Sequence, residues 1–222
     1  MLATRPNLRS RLAVLHTWGF QMKTRRGVTV LLASIVAVLV TLVATALPAA
    51  ADGYADIPTE TPLRFVNYTS IMCVQPVAGN GVNSWDNGAP IQQQTCGINV
   101  PNYWTAHYIG EVSKGLCPGW DITCSDEWKV YQLRSNFSGK CLDITGESTA
   151  TWVPMTQVTC TPGDQSTYWM VFEGDYSGTV VIKNFYSWLC LDVNNVSAGN
   201  GAWLQQWSCT TNNVAQNFYY TT

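Results

Sequence analysis

Charge and histidine are scarce in this chain. Only 12% of its 222 residues are charged, and there are two histidines. One of these, His16, lies in the first fifty residues, which leaves His107 for the remainder. No HExxH, no Gly-rich phosphate loop and no dinucleotide fingerprint occurs. No Ser or Cys nucleophile motif surrounds His107. No CxxC is present and neither histidine neighbours a cysteine pair, which sets zinc aside. Beyond residue 62 no apolar pattern of helical period appears. The expectation is an all-β, non-enzymatic protein that uses no metal and no cofactor.

Long apolar runs are also missing, with one exception. Val28 to Leu47 carries no charge, follows Lys23, Arg25 and Arg26, and precedes Ala49-Ala50-Ala51. That order is a secretory leader; the run is also long enough for an uncleaved membrane anchor, but Pro48 and the alanine triplet favour cleavage, expected after Ala51. Met22 opens a leader of ordinary length, so it is the expected initiator. Residues 1–51 are read as leader, 52–62 as an extended tail and 63–222 as one folded domain. The expected location is outside the cell, with no stable membrane insertion after processing.

Basic residues become scarcer still after cleavage. Six remain (Arg64, Lys114, Lys129, Arg134, Lys140 and Lys183) against fourteen acidic ones, a net charge of −8. This excludes a nucleic-acid binder, which needs clustered Lys and Arg, and an anionic membrane partner. Asn, Gln, Ser, Thr and Trp dominate instead, a surface suited to hydrogen bonding and stacking with neutral polar matter.

What is plentiful is cysteine, and it is periodic. All eight cysteines follow the leader, and an even count in an exported chain implies disulfides. Three pairs sit in the same local sentence: Cys73 and Cys96, Cys141 and Cys160, Cys190 and Cys209. Eight positions before each first cysteine stands an apolar residue: Phe65, Leu133 and Ile182. Eight or nine after each second one stands an aromatic: Trp104, Trp169 and Phe218. A unit repeated three times, each too small for its own core, shares one core with its copies. The repeats span about 63–128, 129–178 and 179–222. Cys117 and Cys124 are left to close a short loop inserted in the first repeat. Short apolar or alternating runs such as Trp169-Met170-Val171-Phe172, separated by Gly, Asn, Asp and Ser clusters, read as strands with tight turns.

The third repeat reads Cys190-Leu191-Asp192-Val193, then Asn200-Gly201, then Gln205-Gln206-Trp207-Ser208-Cys209, then Gln216-Asn217-Phe218. It resembles the repeat of ricin B-chain type lectins. The second repeat shares the opening, Cys141-Leu142-Asp143, and the first the turn, Asn87-Gly88. The resemblance implies a β-trefoil of twelve strands with one shallow sugar pocket per lobe. Carried over by position, it implies that Asp192 accepts hydrogen bonds from sugar hydroxyls. Trp207 stacks on the ring, and Gln205 and Gln216 supply amides. Ala215 stands where the family has an asparagine, and Asn213 is the nearby substitute. The other lobes are depleted, with Val158 at the stacking position of the second, and Gln75 and Gln94 replacing the aspartate and the ring of the first.

The function implied is a secreted lectin recognising neutral glycans mainly through the third lobe, with self-association as a route to avidity. The competing reading is a trefoil interaction or inhibitor protein that contacts its partner through the Cys117–Cys124 loop. A glycoside hydrolase using Asp121, Asp126 or Glu127 ranks third. Within the leading reading, Trp207 could still be a core residue and Asp192 a turn cap. Strand alternation places Trp207 with Gln205 on one face, opposite Leu204 and Gln206.

Overall fold

In the computed structural model, residues 53–98, 101–113 and 127–222 are described. The leader and the Cys117–Cys124 loop lie outside them. The described residues form twelve strands, four per repeat. The first repeat gives β1 (Pro62–Asn67), β2 (Cys73–Pro76), β3 (Ile91–Gln94) and β4 (Trp104–Ser113). The second gives β5 (Glu127–Ser135), β6 (Cys141–Ile144), β7 (Val153–Val158) and β8 (Tyr168–Glu173). The third gives β9 (Thr179–Asn184), β10 (Cys190–Val193), β11 (Leu204–Trp207) and β12 (Asn217–Thr221).

The first and last strands of each repeat close a ring. β1 pairs with β4, β4 with β5, β5 with β8, β8 with β9, β9 with β12 and β12 with β1, all antiparallel. The middle strands form three hairpins, β2–β3, β6–β7 and β10–β11, which cap one end. A six-stranded barrel with a three-hairpin cap is a β-trefoil. Closure removes the exposed edges that an open sheet would present.

The residues that frame the cysteines fill this barrel. Phe65, Leu133 and Ile182 are at most 1% exposed, as are Trp104, Trp169 and Phe218. The two indoles satisfy their buried N–H groups inside their own repeat. Trp104 Nε1 donates to the Val74 carbonyl at 2.8 Å, and Trp169 Nε1 to the Leu142 carbonyl at 3.0 Å. Phe218 takes the third place without a donor. The disulfides Cys73–Cys96, Cys141–Cys160 and Cys190–Cys209 each hold their Cα atoms 5.1 Å apart, so the three hairpins are closed alike. Of the expected 52–62 tail, Pro62 opens β1 and residues 53–61 run along the barrel. Ala55 N donates to Val171 O, Glu60 N donates to Ala106 O, and Ile57 is buried.

The cap is locked by three buried glutamines, each three residues before the second cysteine. Gln93, Gln157 and Gln206 are fully buried. Gln93 Nε2 donates to Ser197 O and Gly199 O of the third repeat. Gln157 Nε2 donates to Ser84 O and Asp86 O of the first. Gln206 Nε2 donates to Ser148 O and Ala150 O of the second. Each repeat thus clasps the hairpin loop of the repeat before it, in a closed cycle. A buried amide makes a loop carbonyl's desolvation affordable only because it bonds it.

Two residues before each first cysteine the backbone is left-handed: Ile71 at φ 53, Gly139 at φ 69 and Trp188 at φ 62. A β-branched residue is poorly suited to this region. Ile71 is also 61% exposed, so its side chain contributes little packing there. Replacing it with the glycine of the second repeat is expected to raise stability by about 1 kcal/mol. Chemical denaturation checks this, and a loss of stability would show that Ile71 packs more tightly than its exposure suggests.

Candidate functional site

The third hairpin brings the expected residues together. In the β10–β11 pair, Asp192 stands opposite Gln205, and Cys190 opposite Trp207. Alternation puts Asp192, Gln205 and Trp207 on one face of the hairpin, while Leu204 and Gln206 are fully buried on the other. Trp207 is half-buried and outside the core cluster.

Asp192 is 4% exposed and is held by three amides. Gln205 Nε2 donates to Oδ1 at 2.8 Å. Gln216 Nε2 donates to Oδ2 at 3.1 Å, and Asn213 Nδ2 to the same oxygen at 3.4 Å. The amides are themselves fixed. Asn194 Nδ2 donates to Gln205 Oε1 at 2.7 Å, and Thr210 N donates to Gln216 Oε1 at 3.0 Å. Burial pushes the Asp192 carboxyl up, and the three amide bonds pull it back. Asp192 therefore caps no turn. It is held in place by side-chain donors, and Asn213 reaches it although Ala215 is buried in the core.

The second lobe differs from expectation. A cavity of about 360 Å³ opens beside Asp143, lined by Thr145, Thr156 and Val158 from its own repeat. Pro90 comes from the first repeat and Trp203 from the third. Within the repeat itself the ring position holds Val158. Trp203, 41% exposed, reaches the cavity from the neighbouring hairpin. Its strand partner across the cap is Gln92, so the signal lies in pairing between repeats and not in local spacing.

Asp143 also has a different proton economy from Asp192. Ser166 Oγ lies 2.6 Å from both Asp143 Oδ1 and Asp164 Oδ1. A hydroxyl has one proton to donate, so the second contact is a hydrogen bond only when a carboxyl carries a proton. Burial pushes Asp143 up to about 6, the Ser166 hydroxyl opposes this, and the Asp164 charge reinforces it.

In the first lobe Gln75 and Gln94 stand at the aspartate and ring positions, and Trp203 of the third repeat pairs with Gln92 beside them. Gln75 stands opposite Gln92, and Gln94 Nε2 donates to Gln92 Oε1 at 2.9 Å. Gln75 Oε1 is buried without a hydrogen-bond partner.

The fold and the hairpin sites define the class: a β-trefoil with polar pockets on its cap. Residues 116–207 match the family model described as ricin-type β-trefoil lectin domain-like. This stretch takes in the second repeat and most of the third, and over it the chain is similar to the ricin-type lectins. The designed threefold-symmetric protein ThreeFoil superposes with a TM-score of 0.56 at 22% identity, over 72% of this chain and 98% of that one. The exo-β-1,3-galactanase 1,3Gal43A of Clostridium thermocellum gives a TM-score of 0.59 at 22% identity, over 75% of this chain and 31% of that one. A ricin B-like lectin of Macrolepiota procera, in complex with lactose, gives 0.53 at 15% identity, over 75% of this chain and 98% of that one. At these identities the likeness establishes the fold. No curated protein matches the chain by sequence.

Proposed function

We propose that this chain is an exported carbohydrate-binding protein that recognises neutral glycans, mainly through the third lobe. The observation that carries the reading is Asp192, buried and held by three side-chain amides on the hairpin face that also presents Trp207. A sugar ring offers an apolar C–H face to an indole and a rim of hydroxyls to a carboxylate. An ionised carboxylate has about four lone-pair sites. Three are occupied, which leaves one, and the Asn213 bond at 3.4 Å is the weakest for a second hydroxyl to displace. The site thus takes one firm hydroxyl bond and a second by exchange. Similarity to ricin-type lectins, and a lactose-bound lectin among the structural neighbours, support the class of ligand.

A binding role without catalysis fits this arrangement, since three amide donors fix the carboxylate and leave it room for one further hydroxyl. The leader pattern and the three disulfides support export. The test is a glycan array with the mature domain. Wild-type protein is expected to give signal on neutral glycans, and Trp207→Ala to abolish it with the fold intact by circular dichroism. Signal that survives Trp207→Ala unchanged would move the site to another lobe. The competing reading, capture of a protein partner by the Cys117–Cys124 loop, predicts no array signal and loss of partner on deleting that loop.

A further inference from the structure

Aligning the repeats on their second cysteines places Gly88, Trp152 and Gly201 at one position. The backbone confirms the equivalence. Each of these N–H groups donates to the carbonyl of the buried glutamine in the following repeat: Gly88 to Gln157, Trp152 to Gln206 and Gly201 to Gln93. All three are left-handed, with φ of 81, 69 and 83. Glycine takes this conformation freely, whereas a bulky residue there is an outlier. The second repeat has therefore put tryptophan where the fold asks for glycine.

The ring does not fill the core. Trp152 is 56% exposed, and a Cβ built at Gly88 meets nothing within 4 Å, so the position itself needs no side chain. Its ring contact is with Trp207, centroid to centroid 4.4 Å at 75°. The loop that carries it is held by Gln206 Nε2 on Ser148 O and Ala150 O, one residue from Trp207 in sequence. A strained, exposed indole fixed against another indole suggests a functional cause for the strain.

We propose that Trp152 is a binding residue of the third-lobe site, and that it makes the ligand a glycan of at least two neutral sugar units. Two indole planes near a right angle form a corner. A sugar unit held at Trp207 and Asp192 continues into a second unit that lies against the Trp152 face. The sister positions have no such wall: Gly201 sits beside Gln92 and Gln94, and Gly88 borders the cavity at Val158. This proposal rests on the sugar-binding reading of the third lobe.

The test starts from the strongest di- or oligosaccharide on the array. That glycan and the methyl glycoside of its terminal unit are titrated against wild type, Trp152→Gly and Trp152→Phe by ligand-observed NMR and calorimetry. Wild type is expected to prefer the longer ligand by roughly tenfold, the scale of one added aromatic contact. Trp152→Gly should erase that preference, weakening the longer glycan about tenfold more than the methyl glycoside, and leave Tm unchanged or higher. Trp152→Phe should restore part of the preference. Equal loss of both ligands, a fall in Tm, or an unchanged preference in Trp152→Gly would overturn the proposal while the sugar-binding reading stands. Absence of any wild-type array signal would remove that reading, and this proposal with it.

Discussion

Replacing Gln157 by leucine is expected to destabilise the fold by about 2 kcal/mol, because two part-buried bonds to loop carbonyls are lost at once. The carbonyls are Ser84 O and Asp86 O, at 2.8 and 3.0 Å from Gln157 Nε2. The Ser138 hydroxyl, which donates to Gln157 Oε1 at 2.7 Å, also loses its acceptor. Ser138 is only partly buried and can turn to water, so the carbonyls decide the size of the effect. Gln93→Leu breaks the same set of bonds on the third repeat's loop, with Ser70 in place of Ser138, and should cost as much. Gln206→Leu should cost less, about 1 kcal/mol, because Gln206 Oε1 is already buried without a partner and its removal relieves that penalty. Urea denaturation of the three variants gives the order. Losses below about 1 kcal/mol for all three would show that the loops hold without the clasps.

The same glutamines show where the sequence was legible and where it was not. The cysteine frame repeats at fixed offsets from apolar residues that the barrel buries, so threefold architecture, disulfide pairing and core aromatics could be read from Phe65, Leu133, Ile182 and their partners. Asp192, Gln205, Trp207, Asn213 and Gln216 are legible through the resemblance to the ricin B-chain repeat, whose motif falls on one hairpin and its closing turn. The clasps were harder, since a polar residue in a short strand reads as exposed. Their signal was present nevertheless: glutamine stands three before the second cysteine in all three repeats. Trp152 and Trp203 were missed for a different reason. Each projects toward the pocket of another repeat, and local spacing carries no information about pairing across a pseudo-threefold axis. A position-by-position comparison of repeats exposes Trp152, where tryptophan interrupts a row of glycines.

Asp143 and Asp192 occupy equivalent positions, yet asparagine at the two is expected to act in opposite directions. Burial pushes Asp143 up to about 6 from 3.8. A carboxyl whose folded value is raised contributes stability in full below about pH 4, and that contribution is lost as pH rises through about 6. At pH 7 the fold thus carries an ionised, desolvated group next to Asp164. Asp143→Asn removes that charge while its carbonyl still accepts from Ser166. Stability at pH 7 should rise by about 2 kcal/mol, and the decline between about pH 4 and 6 should flatten. Asp192 is also pushed up by burial, but it faces donors only: Gln205, Gln216 and Asn213. An asparagine amide at 192 meets at least one of them donor to donor. Turning Gln205 over brings its amide against Asn194, whose Nδ2 now donates to Gln205 Oε1. Asp192→Asn should therefore cost about 2 kcal/mol at pH 7. Denaturation from pH 4 to pH 8 separates the pair. Asp143→Asn losing stability at pH 7 would mean that the second-lobe carboxylate is held by its surroundings as firmly as the third. The two lobes would then be equally equipped acceptors, and the priority given to the third would rest on Trp207 alone.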